Sequence, residues 1–351
     1  MILEISAYDA AERRAKEGMG YPEHAAFSTK TFEDYGFPTR ATTEAELLRY
    51  VDMLASYNLI ERLEPGRFFR ASALQTDFTF EEVALLSKLT HGVADITEKR
   101  CGKRVIQHFN HLGAMGHARM VNAVAQAAGK SQISIFEAGP GCGYAGVILA
   151  MLGHRYMSYD ITQGYYLWQN RLYDHFFGAE FTEFAAQEKA SLSAATRVAH
   201  LPWWQFCKIF RDCPVKADVL LSNANLGEMH GWALRYLLRV AKLMFAESDI
   251  GMIVFGNYGA THLNTQSQIE AELAEAGFRQ VLSEKMYGFI LEGRELKEEA
   301  RVALENQIPL IGDDGSGKTV GPRDFIDFSG DEFTDEFDFF SFLADWPALR
   351  K

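Results

Sequence analysis

The chain is poor in three things. Only four cysteines occur in 351 residues, at Cys101, Cys142, Cys207 and Cys213, none of them in a Cys-x-x-Cys pair. A disulfide framework is therefore not expected, and reduced thiols in a cytoplasmic setting are. Positive charge is scarce: 35 Lys and Arg against 47 Asp and Glu leave a formal net charge of −12. Phosphate backbones and anionic lipid surfaces both call for a basic face, so neither nucleic acid nor membrane is an expected partner. Long apolar runs are missing too. Nothing reaches the roughly 18 residues needed to cross a bilayer, and Met1 to Gly18 lack the basic start, apolar stretch and small-residue cleavage site of a secretory signal.

What is present is ordinary globular material, 48% hydrophobic and 23% charged, enough for a full core. The length suits two domains, or one with a large extension. Residues 1–130 read as mainly helical and as a substrate or lid domain. Thr43 with Glu46, and Thr79 with Glu82, have capping-box spacing ahead of apolar runs. A third helix is expected from His117 to Ala128, stopping at Gly129. From Ser131 the texture changes. Short apolar runs at 133–136, 156–159, 196–201, 218–222, 250–255 and 278–282 alternate with helical patterns at 144–152, 162–177, 232–245 and 266–276. Such alternation means βαβ units and a mostly parallel sheet. Residues 293–351 form a C-terminal extension, with a charged helix candidate at 292–305 and an acidic, Phe-rich tail expected to pack on the body.

Between the first strand and the helix after it lies Glu137-Ala138-Gly139-Pro140-Gly141-Cys142-Gly143-Tyr144. The carboxyl end of a parallel strand is where open α/β sheets bind ligands, and glycines let the backbone turn tightly and approach one closely. Asp160, 23 residues beyond Glu137, ends the second strand and suits the two hydroxyls of a ribose. Gly141, Gly143 and Gly146 also spell G-x-G-x-x-G, the dinucleotide fingerprint, weak by itself. Glu137 would repel phosphates, and Pro140 removes a backbone N–H that could donate to one. A cationic ligand without phosphate suits the loop better.

The pattern Glu137-x-Gly139-x-Gly141-x-Gly143, with Asp160 as second acid, resembles the first two motifs of class I S-adenosylmethionine-dependent methyltransferases across about 130–290. The resemblance implies an α/β fold: a Rossmann-like, doubly wound, mostly parallel seven-stranded sheet, here with a helical N-terminal domain. It implies S-adenosylmethionine as cofactor, with Gly139, Gly141 and Gly143 lining its methionine part, Glu137 beside them and Asp160 holding the ribose. Trp203 and Trp204 follow the third strand, where such a fold holds the adenine, and could stack on it. Anchoring between layers is their plainer role. More narrowly, His200-Leu201-Pro202-Trp203-Trp204 and Gly227-Glu228-Met229-His230 resemble a bacterial group of sugar O-methyltransferases.

After the fourth strand comes Asn223-Ala224-Asn225-Leu226-Gly227-Glu228-Met229-His230, a loop expected beside the transferred methyl, with Asn223 counted among the cofactor-binding residues. A hydroxyl acceptor gives up a proton on methylation, and His230 or Glu228 could take it. The plainer alternative is that either residue caps or salt-bridges the next helix. A histidine cluster, His108, His111 and His117, has no trusted metal-ligand spacing. Ordinary loop histidines are expected there, one of them a further candidate base, and no metal is expected. Gly312 to Thr319 fits G-x-x-x-x-G-K-T, but Val320-Gly321-Pro322 is a poor helix start, so a polar surface loop is expected rather than a phosphate site.

The leading expectation is O-methylation of a small hydroxylated molecule, a sugar or natural-product intermediate, by in-line displacement with a general base. Transfer to nitrogen or carbon, a nicotinamide-dependent oxidoreductase and a non-catalytic relative are the alternatives. The apolar tail and N-terminal helices could support a homodimer.

Overall fold

The computed structural model describes residues 2–19, 39–48, 79–105, 108–187, 195–209, 213, 215–256, 258, 263–283 and 286–307. Eight strands form one sheet: β1 (Ser134–Ala138), β2 (Arg155–Asp160), β3 (Phe181–Glu183), β4 (Val198–Pro202), β5 (Val219–Leu221), β6 (Met252–Phe255), β7 (Phe278–Leu282) and β8 (Tyr287–Leu291). Their order is β3-β4-β2-β1-β5-β6-β8-β7. All neighbours pair in parallel except β8, which runs antiparallel to both β6 and β7. On one side of β1 the sheet runs outward through β2 and β4 to the edge strand β3, and on the other through β5 and β6. The crevice between β1 and β5 is therefore the switch point, where a doubly wound sheet binds its ligand.

The α/β, mostly parallel, doubly wound fold is as expected, but the strand count is eight rather than seven. The added edge strand β3 is three residues long, too short for any period to show. The sequence reading also placed no strand over 287–291. There β8 sits between β6 and β7, its middle residues buried on both faces, so no polar alternation marks it.

The described helices are α1 (Ile5–Glu17), α2 (Phe80–Cys101), α3 (His108–Ala127), α4 (Tyr144–Met151), α5 (Gln163–Phe177), a short α6 (Trp203–Phe206), α7 (Gly231–Met244), α8 (Gln266–Glu275) and α9 (Glu298–Gln307). The capping box at Thr79 forms in both halves. Glu82 then also takes the Arg119 guanidinium at 2.6 Å, which ties α2 to α3. At Thr43 only half forms: its hydroxyl takes the Glu46 N–H at 3.3 Å, while the Glu46 carboxylate turns to the N–H of Thr42 at 2.7 Å. The third expected helix starts nine residues earlier than its apolar pattern suggested, so the histidine cluster lies on α3 and not in a loop. The phosphate-loop mimic at 312–319, the Phe-rich tail and most of the Thr43 helix lie outside the described residues.

Strand alternation divides the sheet into two chemically different faces. Phe136 and Tyr159 turn one way and stack with Phe206 of α6, which meets Tyr236 of α7. Glu137 of β1, Ser158 of β2, His200 of β4 and Glu183 of β3 are register neighbours in one row on the other face, the face covered by α5. Buried residues of α1, α2 and α3 belong to the same hydrophobic core as the sheet, so the described N-terminal helices pack directly against the α/β part.

Candidate functional site

The loop after β1 owes its shape to three glycines in the left-handed region: Gly139 at φ +63°, Gly141 at +59° and Gly143 at +77°. At two of them a side chain is also excluded by neighbours. A Cβ on Gly139 would lie 2.0 Å from Asn225 Nδ2, and one on Gly143 would lie 2.7 Å from the Tyr173 hydroxyl. At Gly141 it would meet nothing within 4 Å, so that glycine faces the space where a ligand could approach. Asn225 holds the turn from the far side, donating Nδ2–H to the Ala138 carbonyl at 2.6 Å. Gly146, the last glycine of the dinucleotide-like pattern, lets α4 close on the ring of Tyr156, 2.2 Å from where its Cβ would stand.

Two buried carboxyl groups lie under this loop. Glu137 accepts from the Tyr156 hydroxyl at 2.5 Å. Burial pushes it up to about 7, a rise opposed by that hydrogen bond and helped by the charge of Asp160. Asp160 accepts from the N–H and hydroxyl of Thr162, both at 2.9 Å, and from Gln169 Nε2 at 3.0 Å. Burial pushes it up to about 6, and these donors hold it below what burial alone would give. Asp160 lies two residues beyond Ser158, the register partner of Glu137, so both acids point to the α5 face. His200, in the same row, is fully buried with its ring stacked on Tyr166 at 3.9 Å. Desolvation drives its pKa well below the ordinary value, and it acts as a neutral core residue.

The carboxyl ends of β2 and β4 are covered by the N-terminal segment. Trp203 is buried, and its indole N–H donates to Glu12 of α1 at 3.1 Å. Trp204 meets Tyr8 edge-on at 5.0 Å. Arg40 bridges Asp9 at 2.6 Å and Glu12 at 2.8 Å. Gln163, opening α5, donates to Asp9 at 2.8 Å and accepts the Ala41 N–H at 2.7 Å. An anchoring role for the two tryptophans is thus visible.

The loop after β5 places the remaining candidates. Asn223 Oδ1 accepts the Gly256 N–H at 2.8 Å, so this side chain braces the ends of β5 and β6. Ala224 between the two asparagines adopts φ +55°, the one left-handed non-glycine residue among the described residues. Glu228 closes a single helical turn, half-buried. His230 is exposed and caps α7, its Nδ1 accepting the Trp232 N–H at 3.3 Å. That bond requires the Nδ1 lone pair, which puts the proton of a neutral ring on Nε2. Capping and acting as a base therefore compete at His230. On α3, His111 is buried with Nδ1 2.9 Å from the Thr90 hydroxyl, and its ring lies edge-on to Tyr144. Burial lowers His117 to about 4. No group of three or more metal-ligating side chains exists among the described residues.

Sequence reasoning thus named the loop and both acids, and the structure brings Glu137, Asp160 and the three glycines together. It missed Gln169, Asn225 and Tyr156. Tyr156 had an available signal: β2 alternates, so any residue an even number before Asp160 shares its face.

No protein-family model matches the sequence, and no curated protein matches it. A comparison with solved structures found partial likenesses. One is a magnesium protoporphyrin IX methyltransferase from Synechocystis with bound S-adenosylhomocysteine, at 13% identity, 54% of this chain and 89% of that one, TM-score 0.34. Another is a TehB-like S-adenosylmethionine-dependent methyltransferase from Corynebacterium glutamicum, at 16% identity, 53% and 95% coverage, TM-score 0.36. A third is an O-methyltransferase family protein from Burkholderia thailandensis, at 12% identity, 52% and 60% coverage, TM-score 0.33.

Proposed function

We propose that this chain is an S-adenosylmethionine-dependent methyltransferase acting on a hydroxyl of a small molecule, with sugars and hydroxylated natural-product intermediates the first class to try. The observation that carries the reading is the pair of buried carboxyl groups, Glu137 and Asp160, on one sheet face beneath a left-handed glycine loop that is open at Gly141. A pyrophosphate held by that loop would face both acids. At an effective dielectric near 20, each like-charge pair at 5 Å costs about 3 kcal/mol. A ligand with an ammonium and a sulfonium is attracted by the same charges. The strand order adds support, since an antiparallel strand between the fifth and sixth parallel positions departs from the 3-2-1-4-5-6 order of dinucleotide folds.

When bound, the cofactor supplies an electrophilic methyl group on sulfur. The chain's own part is positioning and proton transfer. Asp160 would accept hydrogen bonds from the ribose hydroxyls, the glycine loop would allow close backbone approach, and α1 with Arg40 would close the tryptophan end against water. The acceptor hydroxyl's proton passes to His230 or Glu228. The cap on His230 Nδ1 competes with that role, and the variants below decide between the two residues. An amine acceptor would need neither base.

Calorimetry separates the classes. The protein is expected to bind S-adenosylhomocysteine and not NADH, and the reverse result overturns the reading. On a panel of hydroxylated acceptors, H230A and E228Q are each compared with wild type. The variant that removes the base is expected to lose about 100-fold or more in turnover, with S-adenosylhomocysteine affinity kept within about threefold. Full turnover in both variants would remove the general-base assignment from His230 and Glu228, and turnover confined to amine or carbon acceptors would overturn the hydroxyl reading.

A further inference from the structure

Gln169 lies on α5, fully buried. Its Nε2 donates to the Gly141 carbonyl at 2.6 Å and to Asp160 Oδ2 at 3.0 Å. One amide group thus joins the open glycine of the loop to the acid at the end of β2. The orientation of the amide is settled by charge: both neighbours are acceptors, so Nε2 must face them, and turning the amide over would set Oε1 against a carboxylate. The cost of this arrangement falls on Oε1, which is buried with no donor. Buried acceptors are almost always satisfied, and a glutamine serving only to brace the loop would have no reason to leave one open. The loop also packs against this side chain, since a Cβ on Gly143 would stand 3.2 Å from Gln169 Cγ.

We propose that Gln169 is a cofactor-site residue whose Nε2 fixes the spacing between the glycine loop and Asp160 and whose Oε1 receives a hydrogen bond from a ribose hydroxyl of the bound ligand. The role rests on the S-adenosylmethionine reading above. It has a consequence for pH. Ribose binding needs an ionised Asp160, so affinity is present above the pKa of that group and is lost as pH falls through it, near 6 in the wild type. The titratable groups that interact with Asp160 are Glu137 from β1, Cys142 from the loop, Tyr8 from α1, Tyr173 from α5 and, from the other face of its own strand, Tyr159. Of these only Glu137 titrates nearby, and there it is the charge of Asp160 that raises Glu137. The Gln169 donor favours the anion, so deleting it moves the loss of affinity to higher pH.

The test is calorimetry with S-adenosylhomocysteine and with adenosine, from pH 5.5 to 8.5, on wild type, Q169M and Q169E, with thermal unfolding recorded in parallel. Q169M, close in size, is expected to bind both ligands about tenfold more weakly at pH 8, with its affinity midpoint displaced upward from the wild-type value. Q169E adds a carboxylate beside Asp160. It is expected to lose more than Q169M at pH 8 and to regain affinity only over the pH range in which the introduced carboxyl holds a proton while Asp160 stays ionised. Wild-type affinity in Q169M, or a lowered unfolding temperature with the midpoint unmoved, overturns the role and leaves the cofactor reading standing. A wild-type protein that binds neither ligand overturns the cofactor reading itself, and this role with it.

Discussion

Asp160→Asn is expected to weaken S-adenosylhomocysteine binding roughly 30- to 150-fold, while the variant unfolds at a temperature equal to or above that of the wild type. The first effect follows from hydrogen-bond chemistry. A carboxylate accepts from two ribose hydroxyls with charge assistance, and an amide offers one neutral oxygen, a difference of about 2–3 kcal/mol. The second follows from burial. Asp160 is raised from 3.8 to about 6, so it holds its proton more tightly folded than unfolded. The folded state is therefore favoured by this group below pH 3.8 and loses that advantage as pH rises through 6. At pH 8 the whole penalty applies, at most about 3 kcal/mol by linkage. The amide removes the buried charge and gives part of this back, less what is lost where its Nδ2 meets the Gln169 donor. Opposite signs for affinity and stability are the mark of a residue kept for binding. Calorimetry and thermal unfolding at pH 8 measure the two. Wild-type affinity in the variant would remove Asp160 from the site, and a large drop in unfolding temperature would make it a structural acid.

How much of this was legible in the sequence depends on what each feature needs. The glycine loop, Glu137 and Asp160 are close in sequence and sit at strand ends, so spacing alone located them. The sheet's two-sided winding was legible because buried parallel strands read as short apolar runs between helical patterns. β3 and β8 were not, being respectively too short and too uniformly buried. Gln169 was invisible because its importance comes from reaching across to Gly141, 28 residues away. Asn225 reaches 87 residues to Ala138. Its neighbour Asn223 looked like the better choice because it directly follows the strand, yet it spends its side chain on Gly256. The contribution of α1 was hidden for the same reason. Nothing in Tyr8, Asp9 or Glu12 announces contact with residues 150 or more positions away, and Glu12 meets Trp203 across 191.

That long-range contact rests on a buried arginine, and Arg171→Met is expected to lower the free energy of unfolding by about 3 kcal/mol. The Arg171 side chain on α5 is 1% exposed. Its NH1 donates to the Leu3 carbonyl at 2.6 Å and its Nε to Glu44 at 3.3 Å, with NH2 making a second, shorter bond to Glu44. Leu3 N–H in turn donates to Asn170 at 3.0 Å. One turn of α5 therefore pins both the chain entering α1 and the start of the segment at 44. Breaking a buried ion pair from one side typically costs 3–5 kcal/mol because the remaining partner stays unpaired. Glu44 is 30% exposed and keeps Arg100 at 3.8 Å, which places the cost at the lower end, with the stranded Leu3 carbonyl adding to it. Urea unfolding measures the total. Hydrogen exchange locates it: Tyr8, Asp9 and Glu12 amides are expected to lose protection more than those of β1 and β5. Because α1 holds Trp203 and covers the end of β2, cofactor affinity should fall in step with that local opening. The double variant Arg171→Met with Glu44→Leu measures the coupling of the pair, with Arg100 losing its contact to Glu44 as the offsetting cost. Unchanged urea midpoint and intact protection of α1 in the single variant would show that apolar packing of Tyr8 against Tyr166 and Trp204, and not the arginine, holds the N-terminal helix over the site.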